Sequence, residues 1–329
     1  MGVITVEEHY CSERVNEKIA AAMERAGNVE AAKRTRAMFG SENPDVTSMG
    51  ADRIAYMDAH GIDRQVISYV SGMPATLDPK LSISLCREAN DEMASNAAAH
   101  PGRFSCFAHL PLGDGEAAAA ELERTVGELG FVGAMLSGHY QGLPYDNKLY
   151  RPIFEKAAEL GVPLYLHPGM IDPEITKRYY GGDWSEQFTF QFAGFGVGWH
   201  YDVGVQILRL MFAGVFDELP ELKVICGHWG ELVAYYMYRS DEIARELLPC
   251  ELKPSDYFKR SVYVNPSGML YGENMRFCLD TFGPDHILWG EDYPYRKIDN
   301  IGSFLDESDL EDDVREKIAH RNAERILNL

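Results

Sequence analysis

The chain has 329 residues, 46% of them hydrophobic and 25% charged, an ordinary globular composition with ample apolar residues for a large core. Its 31 Lys and Arg against 51 Asp and Glu leave a net charge of −20, which repels phosphate backbones and anionic lipid, so neither nucleic acid nor membrane is expected as a partner. No apolar run approaches the ~20 residues of a spanning helix. The opening residues lack the basic-then-apolar pattern of a signal peptide, and Val6 stands where a myristoylation motif wants Ser or Thr. Six scattered cysteines (Cys11, Cys86, Cys106, Cys226, Cys250, Cys278) without a CxxC pair read as reduced thiols of a cytoplasmic protein.

Short β-rich runs alternate with helical patterns along the chain. The strands are expected at Val3–His9, Gln65–Val70, Phe104–Leu110, Gly133–Ser137, Pro163–His167, Lys223–Gly227, Ser261–Val264 and Ile287–Gly290. Amphipathic segments such as Ser82–Ala99, Gly115–Leu129 and Tyr150–Leu160 separate them. Eight such alternations favour an α/β fold of the (β/α)8 TIM-barrel type over a doubly wound sheet, and no internal repeat divides residues 1–329 into more than one domain. Three stretches exceed what a βα loop needs, at Tyr10–Gly50, Ile171–Trp199 and Leu247–Arg260. The middle one carries Tyr179, Tyr180, Trp184, Phe188, Phe190, Phe192, Phe195 and Trp199, a stacking wall for a planar substrate or a subunit interface.

In a barrel, catalytic groups stand at the carboxyl ends of the strands. The first strand ends Glu7-Glu8-His9, and residues two apart share a face, so Glu7 and His9 can reach one ion while Glu8 points away. The fifth strand ends at His167, the sixth runs into Gly227-His228-Trp229-Gly230-Glu231, and the last ends Gly290-Glu291-Asp292. Glu7, His9, His167 and Asp292 make a donor set suited to Zn²⁺ or Mn²⁺, with Glu291 competing with Asp292 for the last place. His228 and Glu231 lie three apart, so the carboxylate can fix the imidazole tautomer; alternatively, Glu231 simply sits at a helix N-terminus. Arg239 is either a solvated surface residue or a partner for a substrate carboxylate. His109 and His139 end strands and are secondary candidates for the pocket, and His200, next to Trp199, can touch a lid. There is no GxSxG elbow and no Walker-type loop, and Gly194-Phe-Gly-Val-Gly198 follows no strand, so hydrolase-elbow and nucleotide chemistry find no support.

With those motifs in place, the chain resembles the decarboxylase branch of the amidohydrolase superfamily, which holds aminocarboxymuconate-semialdehyde, γ-resorcylate and 2,3-dihydroxybenzoate decarboxylases. The resemblance runs nearly end to end, through Glu7-Glu8-His9, Tyr165-Leu-His167-Pro168, Gly227-His228-Trp-Gly-Glu231, Arg239, Gly290-Glu-Asp292-Tyr-Pro294 and the closing Asn322–Leu327. It implies that Glu7, His9, His167 and Asp292 ligate one divalent ion and that His228, backed by Glu231, is the acid/base. It also implies that Arg239 lies near the substrate. Two motifs depart from the family pattern: Glu291 replaces a Ser or Thr before Asp292, and Trp229 replaces Met after His228.

The expected activity is metal-dependent, non-oxidative decarboxylation of an ortho-hydroxybenzoate-type acid. Asp292 is the candidate proton donor to the ring carbon, His228 and Glu231 manage the phenol, and Arg239 and Trp199 contact the substrate. The alternative is a metal-dependent hydrolase or hydratase of a lactone or related ring-cleavage product, with His228 as general base. A third reading is a non-catalytic metal-bound subunit. A homodimer or homotetramer is expected.

Overall fold

The computed structural model describes residues 2–39, 43–69, 77–248 and 251–329, without the side chains of 38, 245 and 246. The expected end of the second strand at Val70, Cys250, and short parts of the first and third insertions lie outside the described residues. Parallel strands run in chain order around a barrel: β1 (Ile4–Tyr10), β2 (Arg64–Tyr69), β3 (Phe104–Cys106), β4 (Ala108–His109), β5 (Ala134–Ser137), β6 (Leu164–His167), β7 (Val224–Cys226) and β8 (Val262–Val264).

Two details differ from the expected strands. The third expected strand is broken at Phe107 into β3 and β4, although the Phe107 N–H still donates to Ile67 O at 2.8 Å. The eighth is not a regular ladder. It closes the barrel through single parallel bridges, Val264 to Ile287, Thr5 to Trp289 and Glu8 to Tyr293. That closure makes the fold a (β/α)8 barrel and removes the doubly wound alternative, which needs open edges.

The helices begin and end where side chains satisfy their free backbone groups. Gly115–Leu129 starts on Asp114, whose carboxylate accepts from Ala117 N, and stops at Gly130 with φ 70°. The helix expected from Ser82 starts earlier, at Pro79, because Asp78 caps it and proline is at home in a first turn. Inside the barrel, Val6, Val66, Phe107, Met135, Tyr165 and Ile225 form one buried cluster, while a larger apolar layer lies between strands and helices. The described part of the first insertion holds the helices Glu13–Arg25 and Val29–Phe39, tied by Arg36 to Glu17 and Glu24, and the short helix Pro44–Thr47. The aromatic insertion is a chain of short helical pieces with wide π-turns at Thr176–Tyr180 and Phe192–Gly196. No helix among the described residues is long and apolar enough to cross a membrane.

Candidate metal centre and acid/base pair

β1 delivers the first two groups. Its pairing with β2 shifts register between Thr5 and Glu8, a bulge of the kind that re-aims side chains beside active sites. Glu7, His9 and His167 then offer ligand atoms all within 4.8 Å of one another. Asp292, in left-handed backbone at φ 70°, places Oδ1 3.0 Å from His9 Nε2. It is not part of the tighter three-residue group.

Hydrogen bonds behind these residues turn their lone pairs inward. His167 Nδ1 donates to Pro168 O at 2.7 Å, which leaves Nε2 bare and 3.3 Å from Glu7 Oε1. His9 Nδ1 lies 3.1 Å from Ser68 Oγ, and that hydroxyl donates to Glu8 O, so it accepts from the His9 Nδ1–H. Glu7 Oε2 accepts from the hydroxyls of Tyr165 and Ser267, and Asn265 Nδ2 supports Tyr165 OH at 3.0 Å. Glu7 Oε1, fully buried, has no hydrogen bond. Burial opposes the charge on Glu7, yet His167 and the neighbouring His228 and His9 outweigh it and hold the carboxyl well below the usual carboxylate range.

A buried carboxylate oxygen without a hydrogen bond, grouped with the Nε2 atoms of two histidines, is costly alone and favourable around a cation. The two-nitrogen, two-oxygen donor chemistry fits a divalent ion such as Zn²⁺ or Mn²⁺.

Glu291 does not join this group. Its Oε1 accepts from Tyr56 OH and from Ile298 N at 2.7 Å. Glu8 points away from the mouth, and its two oxygens accept from Glu291 N at 3.0 Å and Tyr293 N at 3.1 Å, the amides on either side of Asp292. Burial, then the Glu291 carboxylate, push Glu8 well above the usual range; burial likewise raises Glu291. Arg53, buried behind them, donates to His9 O and Gln65 Oε1, both at 2.7 Å, and stacks over Tyr293.

The second assembly grows out of β7. His228, Trp229, Gly230, Glu231 and Leu232 all have positive φ, a left-handed turn in which Glu231 is not the first-turn residue of an ordinary helix. Four of these five are not glycine, so the turn costs roughly 4–8 kcal/mol that tertiary contacts must offset. Trp229 supplies several: its backbone N–H donates to Asn265 O at 2.8 Å and its indole N–H to Met269 O at 2.7 Å. The turn brings His228 Nδ1 to 2.6 Å from Glu231 Oε1, while the other oxygen lies 2.7 Å from His200 Nδ1. Burial works against a charged His228, but Glu231, then Glu7 and Asp292, overcome it and push the imidazole up to about 9. Glu231 is lowered in turn: burial opposes its charge, and His228 and His200 outweigh it.

The amidohydrolase family matches residues 42–329. The chain belongs to that family. This amidohydrolase is 35% identical to γ-resorcylate decarboxylase of Rhizobium sp. (strain MTP-10005) over 84% of its own length and 86% of the relative's. The solved 2,6-dihydroxybenzoate decarboxylase complexed with 2,6-dihydroxybenzoate is 31% identical, with both chains wholly covered and a TM-score of 0.84. A dihydroxybenzoic acid decarboxylase of Polaromonas sp. JS666, solved with manganese and 2-nitroresorcinol, is 32% identical over 100% of this chain and 97% of that one, with a TM-score of 0.84.

Of the two expected substrate contacts in the amidohydrolase, Arg239 stands away from the metal group and Trp199 beside the acid/base assembly. Arg239 is 75% exposed on the helix Val233–Leu247 and pairs with Glu242 on the same helix, so a single chain does not bring it to the metal group. Trp199 is partly buried, with its indole N–H 3.2 Å from His200 Nε2. His139 pairs with Asp202 at 3.0 Å, and His109 is buried with Nε2 unpartnered. Sequence reading gave Tyr165 and Ser267 no role and offered His200 only as a residue that can touch a lid. Tyr165 was within reach, since it lies two residues before His167 on one strand face. No spacing links His200 to Glu231, thirty-one positions on.

Proposed function

We propose that this amidohydrolase is a divalent-metal-dependent decarboxylase that removes CO2, without oxidation, from ortho-hydroxylated benzoic acids. The observation that carries the reading is the pairing of two assemblies at one barrel mouth. Glu7, His9, His167 and Asp292 form a donor set, and beside it stands a separate imidazole, His228, held by a carboxylate. The 31–35% identity to resorcylate and dihydroxybenzoate decarboxylases supports the substrate class.

In this reading Glu7, His9, His167 and Asp292 hold the ion, Mn²⁺ or Zn²⁺. When bound, it supplies Lewis acidity toward the carboxylate and phenol oxygens of the acid and helps orient the ring. The chain does the rest. Asp292, the most exposed of the four at 20%, takes up a proton from solvent and passes it to the ring carbon that bears the carboxylate. The bond to CO2 then breaks, its electron pair returns to the ring, and aromaticity is restored. His228 holds its proton near neutrality through Glu231 and donates a hydrogen bond to the phenolic oxygen. Trp199 belongs to the wall of the pocket, and Arg239 contributes to substrate binding from an assembled oligomer.

We further read residues 1–329 as one domain of a cytoplasmic homodimer or homotetramer. The exposed aromatic side chains of the insertion (Tyr179, Trp184, Phe188, Phe190, Phe195) and of the Arg239 helix (Tyr235, Tyr236, Tyr238) support self-association. The five described cysteines are free and buried, in keeping with a reducing compartment.

The test measures metal content together with products from 2,6-dihydroxybenzoate and related ortho-hydroxybenzoates. About one ion per chain, CO2 with the decarboxylated arene, and loss of turnover in Asp292→Asn are expected. A metal-replete Asn variant with normal turnover overturns the role of Asp292. Metal without CO2, but with ring opening of lactones, overturns decarboxylation in favour of hydrolysis.

A further inference from the structure

The acid/base carboxylate Glu231 has two imidazole partners, and only one of them belongs to the motif that carries it. The second, His200, lies on the helix Gly198–Phe212, directly after the aromatic insertion. Its ring packs edge-on against that of His228, with centroids 4.2 Å apart at 63°. The helix that carries His200 approaches the turn closely. Gly204, one turn beyond His200, meets the left-handed turn so tightly that a Cβ there would stand 2.5 Å from Glu231 O.

The two nitrogens of His200 face different parts of the protein. Nδ1 donates to Glu231 Oε2 at 2.7 Å. Nε2 faces the insertion, with Phe195 O at 2.8 Å and the Trp199 indole N–H at 3.2 Å. It can donate to the first or accept from the second, but one nitrogen cannot do both at once. The ring side chain is 13% exposed and Glu231 is fully buried, so this link runs under the surface.

We propose that His200 is a positioning residue that couples the aromatic insertion to the acid/base pair. Its Nδ1 fixes the far oxygen of Glu231, and through it the orientation of His228. Its Nε2 holds the Phe195–Trp199 segment over the same site. Substrate enclosure by the insertion and proton handling by His228 are therefore set by opposite ends of one ring. The kinetic form of this proposal rests on the decarboxylase reading; the link itself does not.

Two amide substitutions separate the two ends. Asparagine places an N–H near the position of Nδ1 but cannot reach the insertion, whereas glutamine reaches the position of Nε2 and vacates that of Nδ1. The test uses metal-replete full-length protein carrying His200→Leu, His200→Asn or His200→Gln, with kcat and KM for CO2 release and proton–nitrogen NMR of the ring N–H groups. His200→Leu lowers kcat about 10- to 100-fold with metal content unchanged, the usual effect of removing an outer hydrogen-bond partner. His200→Asn restores most of kcat but leaves KM raised, and His200→Gln restores KM but not kcat. The low-field His228 ring N–H signal persists in the Asn variant and shifts in the Gln and Leu variants.

Equal kcat and KM losses in all three variants, or none, overturn the proposal. If Leu prevents folding, the Asn and Gln pair decides alone. If the wild-type protein releases no CO2, the decarboxylase reading fails separately, and an unshifted His228 signal in both the Gln and Leu variants refutes the link.

Discussion

His109 is a titratable ring sealed in the protein with no partner for Nε2, and burial depresses its pKa to about 3. A free histidine titrates near 6.5, so on acidification the unfolded chain takes up a proton that the folded chain refuses. The sign follows: this group costs nothing above about pH 6.5, and it erodes stability as pH falls from there towards about 3. At about 1.4 kcal/mol per unit, the loss is roughly 2 kcal/mol at pH ~5 and reaches about 5 kcal/mol near the folded pKa. His109→Phe removes the proton site and keeps a flat ring against Tyr69, whose centroid lies 5.0 Å away. Urea unfolding of both proteins at about pH 7 and pH 5 gives a double difference in which every other histidine, the metal ligands included, cancels. The variant is expected to gain about 2 kcal/mol relative to wild type between those two conditions. Parallel pH profiles would show that His109 takes its proton inside the fold, and the burial reasoning would fail.

Two further outcomes bear on the metal group. Glu8→Ala strips the acceptor from both amides that flank Asp292, leaving buried donors that cost about 1–3 kcal/mol each, and should weaken metal binding about 10- to 100-fold in chelator competition. Unchanged affinity means that Asp292 is held by other contacts. Gly227→Ala places a Cβ 2.5 Å from Ser267 Oγ, 2.6 Å from Tyr165 OH and 2.9 Å from Glu7 Oε2, disturbing both hydroxyls that serve Glu7. Overpacking of about 1–3 kcal/mol and protein purified short of metal are expected, read by melting temperature and elemental analysis. Full metal occupancy with wild-type melting refutes the assigned crowding.

The barrel was legible because alternating apolar runs and helical periods recur in order, and strand periodicity put Glu7 and His9 on one face, whereas the choice of Asp292 over Glu291 came from the resemblance alone. What escaped depends on tertiary contact. The closing strand at residues 287–293 makes only isolated bridges, so its pairing leaves a weak periodic trace. Phe107 interrupts the third passage without any breaker residue. Glu8 and Glu291 read as neighbours of ligands, but their work is with backbone amides and Tyr56, which no spacing encodes. Arg239 matched only by resemblance, and in one chain it lies on the exposed side of its helix. Glu231 was open between two readings because the sequence His-Trp-Gly-Glu-Leu carries only one glycine where the chain holds five left-handed residues in a row.

That left-handed run ties the chemistry to the health of the whole barrel. His-Trp-Gly-Glu-Leu on its own prefers right-handed backbone, and in that form its imidazole and carboxylate would part. The grip of neighbouring loops on Trp229, with Ser267 on the His228 N–H, holds the reversed handedness. A modest loosening of those loops would release the pair while the strands remain assembled, so mild denaturant should silence the enzyme well before circular dichroism registers unfolding. The motif is accordingly not portable: grafted onto another strand end, the same five letters would arrive without their geometry.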